Sequence, residues 1–240
     1  MPDEKHDKFH LVPEGEIPCV WMIAGVVSYK LCDRNRDCEN CPFDRVMRGA
    51  YDESTRGSVE LIKGLVVPER IFFHQGHTWA RVESPETVSV GLDDFAQKLV
   101  GKIEGIEPPK LNSTLAQGKR AWSIYAGEYI DMLSPIDGKV IELNERLFES
   151  AGLLNEDPYG EGWIARVRSS SIASNLKNLL SGDLARRWLE KEVESLFALA
   201  NRALGVVLSD GGVPVGDGIA KRIDRDRWSE IAREFFLTKD

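Results

Sequence analysis

The sequence predicts an α+β fold in which a mostly antiparallel β-sandwich with short flanking helices occupies residues 71–182. Residues 1–70 form a cysteine-containing segment and a linker, and residues 183–240 form a helical extension. Three observations predict this division. Short runs with apolar residues at alternate positions recur between residues 72 and 168, separated by glycine and proline turns. All four cysteines lie between Cys19 and Cys41. From Asp183 onward, apolar residues recur at helical spacing instead.

Composition and charge limit the class of protein. The chain has 240 residues and a formal net charge of -8, and its pI is near 5.2. Nucleic acids and anionic membranes bind basic surfaces, so we expect neither as a partner. The N-terminus lacks the basic and then apolar pattern of a signal peptide, and the apolar run 20–27 is shorter than the roughly 20 residues that span a bilayer. We expect a cytoplasmic protein with protein partners.

The cysteines have the spacing Cys-x12-Cys-x5-Cys-x2-Cys. In a reducing compartment such a cluster is more typical of a metal or redox site than of a disulfide framework. The last two cysteines can bind one metal, the turn-prone loop 33–37 can bring the second beside them, and the first completes the set if residues 20–27 turn back. The predicted metal ligands are therefore Cys19, Cys32, Cys38 and Cys41. Zinc and an iron–sulfur cluster both remain open, because four cysteines suit either, and free thiols are the alternative.

A short amphipathic helix should follow the last cysteine. Pro42 suits the first helical position, and apolar residues follow at the spacing of one helical face, namely Phe43, Val46, Met47 and Ala50. The positive end of this helix would favour a thiolate at Cys41. Residues 51–70 mix charges with glycines and predict a linker. His74 and His77 could form a ligand pair, but without a third ligand we favour a surface and a core histidine.

The sheet region begins with two predicted strands, 79–83 and 88–92, joined by a turn. Asp93 should cap a short helix that Gly101 ends. Strands 102–107 and 121–126 follow, and the second of these enters a β-hairpin whose tip is Gly127. Residues 129–133 leave that tip, and a second turn at 135–138 leads into a strand at 140–143. A last strand is predicted at 163–168.

Helices should complete the chain. Apolar residues between Ile172 and Leu180 predict a helix that Gly182 ends. A longer helix carries Ala185, Leu189, Val193, Leu196, Ala200 and Ala203 on one face and should stop at Gly205. The glycine-rich loop 210–218 lacks the Gly-Lys-Ser/Thr ending of a phosphate-binding loop, so we expect only turns there. The final amphipathic helix should bury Trp228, Ile231, Ala232 and Phe235.

Four stretches of the sheet region occur in the order and near the spacing of a known family. They are His77-Thr78-Trp79 and residues 88–97, 134–140 and 155–163. On these stretches the chain resembles the H protein of the glycine cleavage system, a carrier built on a lipoyl domain. The resemblance implies a lipoyl-domain-like barrel-sandwich hybrid and a part in glycine catabolism without catalysis of its own. It also implies other glycine cleavage components as partners.

The same resemblance places Gly127 where the family carries its lipoyl lysine, counting back from Pro135. No lysine lies between Lys119 and Lys139. A lipoyl group needs an amine for its amide bond, so we expect Gly127 to stay unmodified and the protein to lack lipoate.

Two functions follow from the sequence. The first is a non-catalytic docking protein on the carrier fold, without the arm. The second is a small zinc or iron–sulfur protein in which the cysteine cluster acts in redox chemistry or regulation and the H-like region docks a partner. No nucleophile-and-base pattern of a hydrolase occurs, so we expect no enzymatic activity.

Overall fold

A computed structural model of the protein describes residues 12–49, 59–204 and 216–239. Helices α1 Val20–Ile23 and α2 Pro42–Met47 precede a hairpin of β1 Val59–Ile62 and β2 Leu65–Pro68. The other strands are β3 Phe72–His74, β4 Thr78–Ser84, β5 Thr87–Leu92, β6 Gly105–Glu107, β7 Thr114–Leu115, β8 Arg120–Tyr125, β9 Tyr129–Leu133, β10 Gly138–Leu143 and β11 Ala165–Arg168. The other helices are α3 Asp94–Val100, α4 Arg146–Glu149, α5 Leu153–Glu156, α6 Ile172–Leu176, α7 Gly182–Leu204, α8 Ile219–Ile223 and α9 Trp228–Phe235.

The sheets confirm the predicted α+β fold. A six-stranded sheet has the order β3-β4-β5-β11-β10-β7, and a three-stranded sheet has the order β6-β8-β9. Their paired strands are antiparallel. Apolar residues at alternate strand positions face one core, in which Val88, Val90, Leu92, Ile124 and Ile130 have no exposed surface. The alternation in the sequence therefore gave the correct inner face.

Contacts around the start of α3 hold the loops of the sheet region in place. Asp93 caps the helix as predicted, since its Oδ1 accepts the Ala96 N–H at 2.8 Å. The indole of Trp79 donates to the carbonyls of Leu92 and Pro158 at 2.9 and 3.1 Å. A Cβ at Gly91 would lie 2.6 Å from that indole ring, so only glycine fits beside it. Trp79 thus joins β5 to the loop that follows α5.

Two sequence predictions outside the sheet are wrong, and the predicted linker includes strands that the sequence did not indicate. The linker contains the β1–β2 hairpin, whose turn residues Lys63 and Gly64 both have the positive φ that two-residue hairpins favour. The helix from Ile172 is short, because the backbone of Leu180 pairs with Phe73 instead of continuing it. Gly182 therefore begins α7 and does not end the preceding helix.

The C-terminal helices largely follow the predicted pattern. On α7 five of the predicted inner residues are buried, namely Ala185, Leu189, Val193, Leu196 and Ala200, whereas Ala203 is exposed. Just after α9, Phe236 is fully buried, whereas Phe235, which was predicted to be buried, is half-buried. Ala50, Gly205 and most of the 210–218 loop lie outside the described residues.

Buried side chains from the N-terminal segment, the sheet region and the C-terminal helices belong to one contiguous core. The division into residues 1–70, 71–182 and 183–240 stays a prediction. Among the helices that the structure describes, none is both long and apolar enough to cross a membrane.

Candidate functional site

The β8–β9 hairpin presents Gly127 at an exposed tip, as predicted. Tyr125 and Tyr129 pair across the strands, and their rings lie 5.0 Å apart. The Ala126 N–H donates to the carbonyl of Glu128 at 3.1 Å. Gly127 has φ +98°, and a Cβ built there would meet nothing within 4 Å. Glycine thus supplies the backbone angle that this turn requires, and space remains around it.

A lipoyl group does not fit the residues of this tip. The hairpin strands and their turn contain no lysine. Lys119 precedes β8 at the opposite end of the hairpin, and Lys139 lies in β10 of the other sheet. Lys119 is roughly 25 Å of extended chain away from Gly127, at about 3.3 Å for each residue. The exposed tip of the hairpin therefore offers no amine to which a lipoyl group could be attached.

Two cations from the C-terminal extension contact the tip, which the sequence analysis did not foresee. The Lys221 ammonium on α8 donates to the carbonyl of Ala126 at 2.6 Å and lies 4.4 Å from the ring of Trp228. Arg233 on α9 donates to the carbonyl of Tyr129 at 3.2 Å and lies 3.6 Å from the Glu128 carboxylate. Because the partners are about a hundred residues apart in the chain, no local pattern could have indicated these contacts.

Close backbone packing sets the position of the extension. The Gly218 N–H donates to the carbonyl of Lys98 at 2.8 Å. A Cβ at Gly101 would lie 2.8 Å from the Gly218 Cα, so the C-terminal end of α3 must be glycine here. The extension is therefore seated on the helix that Asp93 begins.

His77 is a core histidine that packs against α7. Its side chain is fully buried, and Nδ1 lies 2.8 Å from Asp93 Oδ2. The imidazole lies between the rings of Phe95 and Trp188, at 4.2 and 4.8 Å. His74 is half-buried, and burial together with the charge of His77 lowers its pKa. The predicted core histidine is thus His77, whereas His74 is half-buried and is not the surface histidine that the sequence predicted.

The four cysteines line one small cavity, although they are spread over 23 positions of the sequence. The apolar run after Cys19 begins with α1 and turns back, which was the condition for Cys19 to join the other three cysteines. The Cys19 N–H then donates to the carbonyl of Lys30 at 2.9 Å, and the Cys32 N–H donates to that of Ile17 at 2.6 Å. The Arg36 N–H donates to the Cys32 Sγ at 3.2 Å. The cavity volume of about 10 Å³ is close to the room that one water molecule needs.

The thiols of this cavity do not converge on one point. Among the described residues, no group of three or more His, Cys, Asp or Glu side chains is arranged to hold a metal ion. Burial raises the pKa of the Cys41 thiol to about 11 and also raises the pKa of Cys19. The backbone N–H groups of Asp44 and Phe43 lower the pKa of Cys41, but burial outweighs them. The helix end thus favours the Cys41 thiolate as predicted, but burial outweighs this effect when no cation is bound. Metal binding would require the thiols to turn inward and lose protons.

Comparison with known proteins identifies the sheet region. The family described as glycine cleavage H-protein matches residues 71–192. Glycine cleavage system H protein 2 of Aquifex aeolicus is 34% identical over 138 residues, covering 57% of this chain and 86% of that protein. The glycine cleavage system H protein of Carboxydothermus hydrogenoformans is 38% identical over 132 residues, covering 54% and 98%.

Among solved structures, a glycine cleavage system H protein from Mycobacterium marinum matches with a TM-score of 0.46 and 20% identity, over 53% of this chain and 99% of that one. The family match begins after the cysteine segment and ends within α7. The chain belongs to the glycine cleavage H-protein family.

Proposed function

We propose that this protein is a non-catalytic docking member of the H-protein family that works in the cytoplasm without a lipoyl arm. The observation that supports this most directly is the hairpin tip, where Gly127 is exposed and carries no amine, although the strands that present it are intact. Its partners would be proteins, and family membership favours other components of glycine cleavage.

The surroundings of the tip suit docking. Tyr129 is 52% exposed beside Gly127, and aromatic side chains are enriched in protein interfaces. Lys221 and Arg233 hold the backbone on either side of the tip, so the surface is ordered before a partner arrives. Such preorganisation reduces the entropy that association costs.

A modification experiment tests the absence of the arm. The full chain would be coexpressed with an active lipoylating enzyme, and its intact mass would be measured. We expect the mass of the unmodified sequence, because Gly127 offers no amine. Peptide mapping would show which residue carries any added mass. A lipoyl group on Lys221 or any other lysine would contradict the proposal.

A binding experiment tests the docking surface. Titration calorimetry of the full chain with the purified glycine cleavage components would be repeated with Tyr129→Ala. We expect an affinity loss of about tenfold, as for a central aromatic contact. Leu61→Ala is the matched control, because Leu61 is exposed and lies outside the family region. Equal binding by both variants would exclude the tip as the docking surface.

The cysteine cavity favours a second function, in which the cluster holds zinc or an iron–sulfur centre for redox chemistry or regulation while the H-like region docks a partner. All four cysteines line the same cavity, which supports one shared site for a metal centre. Four thiolates around zinc would leave no open position for water, so a structural role fits better than hydrolysis.

Elemental analysis and a visible spectrum of protein purified without oxygen would test this second function. We expect about one zinc ion per chain and no colour for a four-cysteine zinc site. Iron with sulfide and a brown absorbance would indicate redox chemistry instead. Protein without metal, in which all four thiols label freely, would contradict the second function and leave the docking function untouched.

A further inference from the structure

We infer that the cysteine site, when it holds zinc, acts as a latch that fixes the start of α7 against the sheets. The latch is the contact of Asp33 and Arg34 with residues 181–183 and with Glu69. This inference rests on the metal-binding function proposed above and adds what the metal controls.

The first half of the latch joins the cysteine loop to α7. Asp33 directly follows Cys32 and is 3% exposed. Its carboxylate accepts a hydrogen bond from the hydroxyl of Ser181, and its carbonyl accepts the Asp183 N–H at 3.0 Å. Gly182 has φ +51°, and a Cβ there would lie 2.7 Å from the Asp33 carbonyl. The loop and the first residues of α7 therefore interlock without room for a side chain between them.

The second half joins the same loop to the end of β2. The side chain of Arg34 is 11% exposed and donates to the carbonyl of Glu69 at 3.0 Å, with the Glu69 carboxylate 3.7 Å away. Its Nε is buried and has no hydrogen-bond partner among the described residues. Arg34 also lies against Gly182. One loop of the cysteine segment thus contacts both β2 and α7.

The loop is held in a strained shape. Asn35 and Arg36 have φ of +47° and +66°, which residues other than glycine adopt at an energetic cost. Both residues are exposed, although Arg36 also lines the cysteine cavity. The contacts of Asp33 and Arg34 offset this cost on one side of the two residues. A restraint between the ends of the loop, which are Cys32 and Cys38, would add to them. An ion bound to both thiolates would hold those ends together, and the Arg36 N–H already donates to the Cys32 Sγ.

The start of α7 transmits this restraint toward the core. Arg187 forms an ion pair with Glu16 of the N-terminal segment at 3.3 Å. One residue later, Trp188 packs 4.8 Å from the buried imidazole of His77. Occupation of the cysteine site should therefore set how firmly α7 is seated beside His77.

Hydrogen exchange of the full chain tests the latch. The protein would be purified with zinc under reducing conditions, zinc would be counted, and amide exchange would be followed by mass spectrometry with and without a chelator. We expect chelation to speed exchange in residues 181–188 by about tenfold or more, while the hairpin 120–133 changes by less than about twofold. Cys38→Ser should behave like the chelated protein.

Two serine variants separate the latch from the metal site. Ser181→Ala removes one contact of Asp33 and keeps every cysteine, so we expect faster exchange at 181–188 with zinc still bound. Ser229→Ala is the matched control, because Ser229 is also buried but lies in α9. One zinc ion per chain with unchanged exchange at 181–188 after chelation would overturn the latch and leave the metal site standing. A chain that binds no zinc would overturn both.

Discussion

The hairpin tip and the cysteine loop are both turns that use left-handed backbone angles, but different features support them. The tip has glycine at φ +98°, and two strands pair on either side of it. The cysteine loop has Asn35 and Arg36 at positive φ, and its short turn bonds run from Asp37 to Arg34 and from Cys38 to Arg36. The tip thus has the residue that its backbone angle favours, whereas the cysteine loop needs other contacts to hold two non-glycine residues at positive φ.

This difference bears on how each site works. A self-supporting turn can present a surface whatever else is bound, which suits docking. If the cysteine loop holds the zinc ion proposed above, its shape should change when the ion leaves, which would suit a structural switch. On this proposal an ion would control the cysteine loop, whereas the hairpin tip, which is part of the family region, would keep its shape without one.

The largest expected effect comes from removing the metal. Cys41→Ser should abolish metal binding and cost about 3 kcal/mol or more, because structural zinc contributes on the order of 10 kcal/mol to small domains. Such a loss lowers the melting temperature of a chain of this size by roughly 10 °C. Differential scanning calorimetry would measure it, with chelated wild-type protein as the reference. A variant that keeps its metal and melts within about 2 °C of wild type would show that the two turns do not differ in this way.

The second effect concerns the tip itself. Gly127→Lys supplies the missing amine, and a side chain at φ +98° should cost about 1–2 kcal/mol. We expect one lipoyl group in the intact mass after coexpression with a lipoylating enzyme, since nothing crowds the position. Gly118→Lys is the control, because Gly118 is exposed, has φ +73° and lies beyond the other end of β8. Failure of Gly127→Lys to be modified would mean that this hairpin is misshapen relative to the family.

The third prediction replaces the two residues of the cysteine loop that have positive φ by glycine, so that both turns carry glycine at that backbone angle. Replacing both Asn35 and Arg36 by glycine should relieve strain and, after the entropy that glycine adds to the unfolded chain, stabilise the protein by about 1 kcal/mol. Denaturant unfolding of the chelated protein would measure it. Glu39→Gly is the control, because Glu39 is exposed in the same segment and does not have a positive φ. This substitution should destabilise the protein. Equal losses in both variants would show that the loop is unstrained.

Sequence patterns predicted the family region well and its surroundings less well. Asp93, Gly101 and the alternation at Val88, Val90 and Leu92 act within a few residues, so spacing alone placed them. The β1–β2 hairpin was missed because Lys63 precedes Gly64 where two glycines or Asn-Gly would have been a clear turn signal. Lys221 and Asp33 contact residues about a hundred or more positions away, and no local period records such contacts.

The smallest expected effect is that of Lys221→Met, and it asks whether the tip supports itself. The ammonium donates to the Ala126 carbonyl and contacts Trp228, and a half-buried bond of this kind contributes about 1 kcal/mol or less. Methionine retains the apolar stem that packs on the ring. If the strands hold the hairpin by themselves, amide exchange in residues 120–133 should rise by less than about fivefold, and Lys139→Met, an exposed lysine of β10, should change nothing. A rise of about a hundredfold would mean that the C-terminal extension, and not the hairpin sequence, keeps the tip in place, and the contrast with the cysteine loop would then disappear.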